Sequence, residues 1–397
     1  MTSTTPENLA QEHAVQAEAA ANRQEYQQAS ELFAQAASTV GLEIPLQWQY
    51  RKQQALMLAE FGRVFRNNKA LEDAIALYES TVLELASQEE RPDDWATTQQ
   101  LLGNALGLLG QRQRATIMLE KAIVVFETLL SSRSREQAPL EWATTLDNYG
   151  NVIGTLGQRR GNTEMLQKAV EAFESALEER TRERAPMDWA ATQNNLGTAL
   201  QVLGQREKDP RLLKKSVDAY TCALQEWTRE RVPLSWATVF NNMGTVLRLL
   251  GETRKGPRTL EQAIAAFQNA LAERTRERVP QEWAMTQNNL GAALQSLGQR
   301  QADPQFLEQA VTAYENALQE VTRERTAMGW AMTLANLGAA RMLLAEMTKS
   351  PDLALMALND FDEVVNYFQE ASHSQYMELG EEQRKRAQAL VKALSHV

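Results

Sequence analysis

Apolar positions along most of the chain recur with the 3.6-residue period of amphipathic helices, and no two-residue alternation of a strand persists. From Pro186 onward, Trp189, Leu196, Leu200 and Leu203 fall at i, i+7, i+11 and i+14, one narrow stripe, with Ala190 and Gly197 together on its flank. The small pair lets a neighbouring helix come close. A second kind of helix carries a different stripe, Leu166, Ala169, Val170, Phe173, Ala176 and Leu177. Its aromatic position is filled elsewhere by Phe126, Tyr220, Phe267, Tyr314 and Phe361.

The two kinds of helix alternate in a fixed register. Trp48, Trp95, Trp142, Trp189, Trp236, Trp283 and Trp330 each lie 47 residues after the last. Glycines follow them at eight residues (Gly103, Gly150, Gly197, Gly244, Gly291, Gly338) and at fifteen (Gly110, Gly157, Gly204, Gly251, Gly298). Pro186 opens a first helix, Gly204 stands where a left-handed C-terminal cap wants glycine, and Asp209-Pro210 is an N-cap and N1 pair for the second helix, repeated at Asp303-Pro304 and Ser350-Pro351. The pattern predicts an all-α fold, an α-solenoid of antiparallel helix pairs. Residues 1–9 read as a flexible tail, 10–45 as a short pair whose first helix covers roughly Asn8 to Asn22, 46–375 as seven 47-residue pairs, and 376–397 as a capping helix, all in one continuous solenoid. The end units are degenerate: Ala55, Leu56 and Ala59 replace the usual core after Trp48, while Arg341 occupies the Leu200-equivalent position and Ala327 replaces a proline.

Leu196-Gly197-x-x-Leu200, followed by Ala-x-x-x-Phe-x-x-Ala as in Ala169 to Ala176, resembles the tetratricopeptide repeat signature, and the resemblance covers nearly the whole chain. Tyr26 to Ala36 resembles the ordinary 34-residue form; the later units are 13 residues longer, with the tryptophan one turn early and the terminal proline displaced. The Asn-Asn-Leu-Gly string is similar to the long-repeat subclass of kinesin light chains and of many bacterial signalling proteins. The resemblance implies a right-handed superhelix whose first helices line a concave groove. It also implies a bacterial, non-enzymatic adaptor.

Composition narrows the chemistry. With 41 Lys plus Arg against 51 Asp plus Glu the formal charge is −10, the wrong sign for gripping phosphate backbones, so nucleic acid is not an expected partner. A single cysteine, Cys222, forms no internal disulfide and reads as a small helix residue, which fits a reducing compartment. Met1 to Ala10 lacks a leader pattern and no apolar run is long enough to cross a bilayer, so a cytoplasmic protein without membrane contact is expected. His13, His373 and His396 stand without motif partners, and no phosphate loop, zinc-binding or nucleophile-elbow motif occurs. No enzyme, metal or cofactor is expected.

Three recurrent features remain as candidate surfaces. The tryptophans share a stripe with leucines, which favours packing over an aromatic cage; Trp227, which replaces an Arg of neighbouring units, is either a local contact or an exposed anchor. The strings Arg182-Glu183-Arg184, Arg229-Glu230-Arg231, Arg276-Glu277-Arg278 and Arg323-Glu324-Arg325 read as ion-pair ladders between repeats, or else as a ridge for an acidic partner. Counting on from Phe173 places Arg184 on the core side and Arg182 facing away.

The asparagines are the most informative set. Asn148, Asn195, Asn242, Asn289 and Asn336 fall six residues after a tryptophan, and Asn194, Asn241 and Asn288 precede three of them. At about 100° per residue these positions lie well off the core stripe. They flank a polar face that includes Thr198, Gln201, Thr245, Arg248 and Gln295. An amide donates and accepts, so such a row can pair with the backbone of an extended peptide whatever its side chains. In the kinesin light-chain class asparagines hold peptide backbones, and the resemblance implies the same for these five. The other reading is architectural, with the asparagines bonding between adjacent first helices to fix curvature. The expected function is a protein interaction scaffold that binds an extended segment of a partner protein or peptide. The rival is a self-assembling, homo-oligomeric or regulatory solenoid acting in trans on a signalling or protease effector.

Overall fold

The computed structural model describes residues 5–39, 41–253 and 256–395; residues 1–4 of the expected tail, and His396 with Val397 beyond the expected cap, lie outside the described residues. All elements among the described residues are helical. The chain divides into two compact units, Met1–Ala199 and Leu200–Val397.

In the first unit α1 (Pro6–Asn22) and α2 (Tyr26–Ala37) form the short pair, with α1 starting ahead of the expected Asn8. Then come α3 (Ile44–Val64) and α4 (Asn68–Leu77), the latter continued by a π-helical segment, Tyr78–Val82. Next are α5 (Pro92–Arg112), α6 (Ile117–Ser132), α7 (Pro139–Arg160), α8 (Thr163–Glu179) and α9 (Pro186–Glu207), in which the division falls. The second unit contains α10 (Pro210–Ala223), α11 (Pro233–Thr253), α12 (Arg258–Leu271), α13 (Pro280–Gln301) and α14 (Pro304–Leu318). It ends with α15 (Arg323–Thr348), α16 (Pro351–Glu370) and α17 (Ser374–Leu394). Within each unit consecutive helices pack as pairs, and first helices also touch the next first helix: α3 meets α5, α5 meets α7, α11 meets α13 and α13 meets α15.

The predicted caps of the second helices form as read. Asp209 and Asp303 accept from the backbone N–H of Arg211 and Gln305 at 2.8 and 2.9 Å, and Ser350 accepts from that of Leu353 at 3.4 Å. The glycine cap does not. α9 runs past Gly204 to Glu207, and the left-handed residue is Lys208, with φ 53°; Ala302 takes the same role after α13. Gly204 serves the crossing of the helices instead: a Cβ there would stand 3.0 Å from Leu213 Cδ2. Its counterparts Gly110, Gly251 and Gly298 meet Leu119, Leu260 and Leu307 in the same way.

The second glycine series has an equivalent task against the aromatic row. Phe126, Phe173, Phe267, Tyr314 and Phe361 are all at most 2% exposed, and Gly103, Gly150, Gly244, Gly291 and Gly338 are the sites on the first helices where their rings seat. Gly291→Ala tests this packing. The substitution gains about 1 kcal/mol in helix propensity, yet its Cβ would lie 2.8 Å from Tyr314 Cε1. The ring is buried and cannot give way, so overpacking of about 1–3 kcal/mol wins. Urea unfolding should show a lower midpoint, and a raised one would refute the ring-in-notch packing.

The last pair has lost its proline but kept its backbone. α15 contains a break at Thr326 (φ −147°, ψ 63°), nearly the conformation of Val279 (φ −146°, ψ 73°) just before Pro280. The turn preceding each first helix, and not the proline alone, therefore sets the entry geometry.

Candidate functional site

The five asparagines lie on first helices, half-buried, and four of them, Asn148, Asn195, Asn289 and Asn336, donate to the first helix before their own, while Asn242 accepts from its neighbour Asn241. In the first unit Asn148 Nδ2 donates to Asn104 Oδ1 at 2.9 Å, and Asn195 Nδ2 donates to both carboxylate oxygens of Asp147 at 3.3 Å. In the second unit Asn289 Nδ2 donates to Asn241 Oδ1 at 3.1 Å, and Asn336 Nδ2 to Asn288 Oδ1 at 3.2 Å. Asn241 is only 4% exposed. It also donates to Asn242 Oδ1 at 3.3 Å, so its amide is spent inside the protein. Asn194 Nδ2 donates to Asn195 Oδ1 at 3.4 Å, while its own Oδ1 is buried without a partner. The other members of the face are similarly tied: Gln201 and Gln295 accept from the hydroxyls of Tyr220 and Tyr314 at 3.2 and 3.0 Å, Arg248 pairs with Glu252, and the hydroxyls of Thr198 and Thr245 bond back to the helix at 3.1 Å.

Behind this row lies a buried polar layer that sequence reasoning missed. Arg180 is 7% exposed; its guanidinium donates to Thr192 Oγ1 at 2.9 Å and Thr144 Oγ1 at 2.8 Å, and stands 3.8 Å from Asp147. Burial pushes the Asp147 carboxyl up from its ordinary range, against the pull of Arg180 and of the hydrogen bonds from Thr192 and Asn195. In the second unit Arg274, 4% exposed, donates to Thr286 and Thr238 at 3.0 and 2.9 Å, and the residue corresponding to Asp147 is Asn241. The signal was present: Arg133, Arg180 and Arg274 share one register, and Trp227, noted only as an oddity, interrupts it.

The Arg-Glu-Arg strings form a lattice of ion pairs. Counting from Phe173 misplaced them because α8 ends at Glu179 and the string occupies a separate turn. Arg182 does not face away. It lies over the Trp189 ring, 6.0 Å from its centroid, and Arg135, Arg229, Arg276 and Arg323 cover Trp142, Trp236, Trp283 and Trp330 at 5.3–5.9 Å. These tryptophans are half-buried, each with a cation as its lid. Several of the same arginines reach the next repeat: Arg135 bonds Glu179 at 2.6 Å, Arg229 bonds Glu273 at 2.6 Å and Arg276 bonds Glu320 at 2.7 Å. The second arginine grips the same acids from their own repeat, as Arg184 does Glu179 at 2.7 Å and Arg278 does Glu273 at 3.0 Å. Hydrogen bonds from Arg135 and Arg184 hold the Glu179 carboxyl below its ordinary range. The arginines are thus occupied with holding one repeat to the next.

A further set, also unread in the sequence, caps helix ends. Arg159 donates to the carbonyls of Gly110, Gln111 and Gln113 at 2.7–2.8 Å, and Arg112 to those of Gly62 and Arg63 at 2.8 and 3.0 Å. Arg300 does the same for Gly251 at 2.7 Å. Each places a cation on the negative end of the preceding first helix. The recurring Gly-Gln-Arg strings at 110–112, 157–159 and 298–300 were the available clue.

A model of the tetratricopeptide repeat matches residues 95–136 and 283–321. Both windows open on tryptophans of the 47-residue series and run through the aromatic of the second helix. Both stretches are tetratricopeptide repeats. Solved structures similar to it include a Rap protein complexed with Competence and Sporulation Factor, 13% identical, covering 97% of this chain and 99% of that one with a TM-score of 0.49. The apo quorum sensor NprR of B. thuringiensis is 14% identical over 96% of this chain and 98% of its own, with a TM-score of 0.47. No curated protein matches the sequence. Among the described residues no helix of this repeat protein is long and apolar enough to cross a membrane.

Proposed function

We propose that the protein is a non-enzymatic scaffold that holds an extended segment of a partner protein along the amide-bearing face of its first helices. The observation that carries this reading is how the asparagines are held. Asn148, Asn195, Asn289 and Asn336 each spend amide hydrogen on the preceding first helix. An amide offers two N–H donors and two acceptor lone pairs, so each retains capacity to donate and to accept. The bond between helices fixes the rotamer, and a pre-ordered amide loses less entropy on binding. The architectural and ligand-holding roles are then two uses of one side chain. Packed helices lie about 8–10 Å apart and an extended chain advances about 3.3 Å per residue, so successive amides meet a segment at roughly every third residue.

The test begins with peptides selected from a random library on the full-length protein. Replacing Asn148, Asn289 and Asn336 together by alanine should weaken them by roughly fivefold per amide, the worth of one hydrogen bond. Methylating the peptide's backbone nitrogens at every third residue should weaken binding comparably, whereas alanine scanning of the peptide should not. Equal affinity for wild type and triple variant by calorimetry would overturn the reading.

A further inference from the structure

The ion-pair lattice between repeats is interrupted beside Trp95. At other junctions an Arg-Glu-Arg triad meets next to a tryptophan: Arg135, Glu179 and Arg184 with Trp142, and Arg229, Glu273 and Arg278 with Trp236. Forty-seven residues before the first of these triads stand Gln88, Ser132 and Gln137. All three are shorter and uncharged, and all three line a hollow of about 410 Å³ between the starts of α5 and α7 and the end of α6. The hollow lies where ionic side chains meet elsewhere.

The interruption also costs the junction its cation. Exchanging Arg, Glu and Arg for Gln, Ser and Gln removes one net positive charge, and with it the guanidinium that covers Trp142, Trp189, Trp236, Trp283 and Trp330. Trp48, which lacks that arginine too, is covered instead by Lys52 and Arg91 at 4.2 and 5.2 Å. Among the described residues no cation covers Trp95, which is 8% exposed and lines the hollow. The rim moves further in the same direction. Asp93 stands where the next repeats have Leu140, Met187 and Leu234, and its side chain is almost fully exposed. Arg133 reaches it at 3.1 Å, while Glu141, also exposed on the rim, has no ion pair among the described residues. Two carboxylates thus stand against one guanidinium.

We infer that this hollow receives an arginine side chain of a partner protein. Its guanidinium lies against the Trp95 indole as that of Arg135 lies over Trp142, and its N–H groups donate to Asp93 and Glu141. Arginine fits better than lysine because the five cations that hold this position in other repeats are all arginines, whose planar fork stacks and pairs at once. A residue within a chain fits better than the free amino acid, since the rim's one cation, Arg133, is already paired with Asp93 and leaves a free carboxylate no counter-charge. None of the asparagine row lines the hollow, so the inference stands apart from the segment-binding reading.

The probe is N-acetyl-arginine amide, with N-acetyl-citrulline amide as its uncharged counterpart of similar shape, both titrated against full-length protein by saturation-transfer NMR. Wild type should bind the arginine probe saturably and roughly tenfold more tightly than the citrulline one. Gln88→Arg, Ser132→Glu and Gln137→Arg together rebuild the neighbouring triad; this variant should lose the arginine site and melt at a higher temperature. Asp93→Leu, which sets the neighbours' residue type on an exposed position, should weaken the arginine probe roughly threefold. Non-saturating arginine binding in wild type, equal affinity for the two probes, or undiminished binding in the triple variant overturns the inference. Free arginine should bind no better than the capped probe, and tighter binding overturns the assignment to a protein side chain. Wild type and triple variant should sediment alike; self-association lost only in the variant would make the donor a second copy and overturn the assignment to a different protein.

Discussion

Arg341→Leu should destabilise the second unit by about 3–5 kcal/mol, although it restores the residue type of the row to which position 341 belongs. In the earlier repeats that row reads Leu200, Leu247 and Leu294, and the row of Asp360 reads Ala219, Ala266 and Ala313. The final repeat replaces both at once. Arg341 donates to both carboxylate oxygens of Asp360 at 2.8 Å and to Glu315 at 2.7 Å, and Asp360 is 8% exposed. Removing the arginine alone strands a buried carboxylate, whereas Arg341→Leu with Asp360→Ala rebuilds the ordinary core and should be neutral or stabilising by about 1–4 kcal/mol. Burial raises the Asp360 carboxyl to about 6 against the pull of Arg341. A carboxyl raised in the folded state binds its proton more tightly there than in the unfolded chain. Its contribution is therefore full below the ordinary aspartate range and is lost as pH rises through about 6. The stability difference between wild type and Asp360→Asn should shift against wild type from pH 4 to pH 7, in the sense of that loss. Urea unfolding of the four proteins decides the matter, and a double variant weaker than Arg341→Leu would refute it.

That pair shows how far the sequence can be read. Arg341 is visible as a break in a leucine row, but its partner lies 19 residues on, in the next helix, and only packing reveals that two exceptions compensate each other. The helix pairs, the Asp209 and Asp303 caps and the aromatic row were legible because each depends on local spacing and burial. Gly204 was misread because glycine answers two demands, a left-handed cap and a close helix crossing, and sequence spacing does not separate them. Arg182 was misread because helical counting was carried beyond the end of α8. The asparagine row was legible as a polar face, yet the partners Asn104 and Asp147 come from the neighbouring repeat, where no periodicity within one helix points.

The buried layer behind the amides gives the second large expectation. Arg180→Met should cost about 3–5 kcal/mol at neutral pH because it leaves Asp147, 7% exposed, without its counter-charge. Asp147→Asn should cost less than about 1.5 kcal/mol, the scale of one hydrogen bond, because the second unit already operates that way: Asn241 accepts from Asn289 at 3.1 Å, and Arg274 is held by Thr286 and Thr238. The contrast follows from charge. An isolated buried carboxylate has no way to spread its charge, whereas the broad guanidinium of Arg180 keeps two threonine acceptors when the acid becomes an amide. The pH dependence distinguishes this account from a plain loss of packing. The Asp147 carboxyl is already raised by burial, and without Arg180 it rises further. By the same linkage the deficit of Arg180→Met should be smallest below the ordinary aspartate range and should deepen as pH rises above it. Stability in such repeats is carried mainly by neighbouring units. Hydrogen exchange of the α7 and α8 amides, followed at pH 5 and pH 8 (values chosen to straddle the roughly neutral range), should therefore show the effect most sharply. A deficit that is the same at both pH values, or an Asp147→Asn variant as damaged as Arg180→Met, would mean that the layer acts through shape and not through charge.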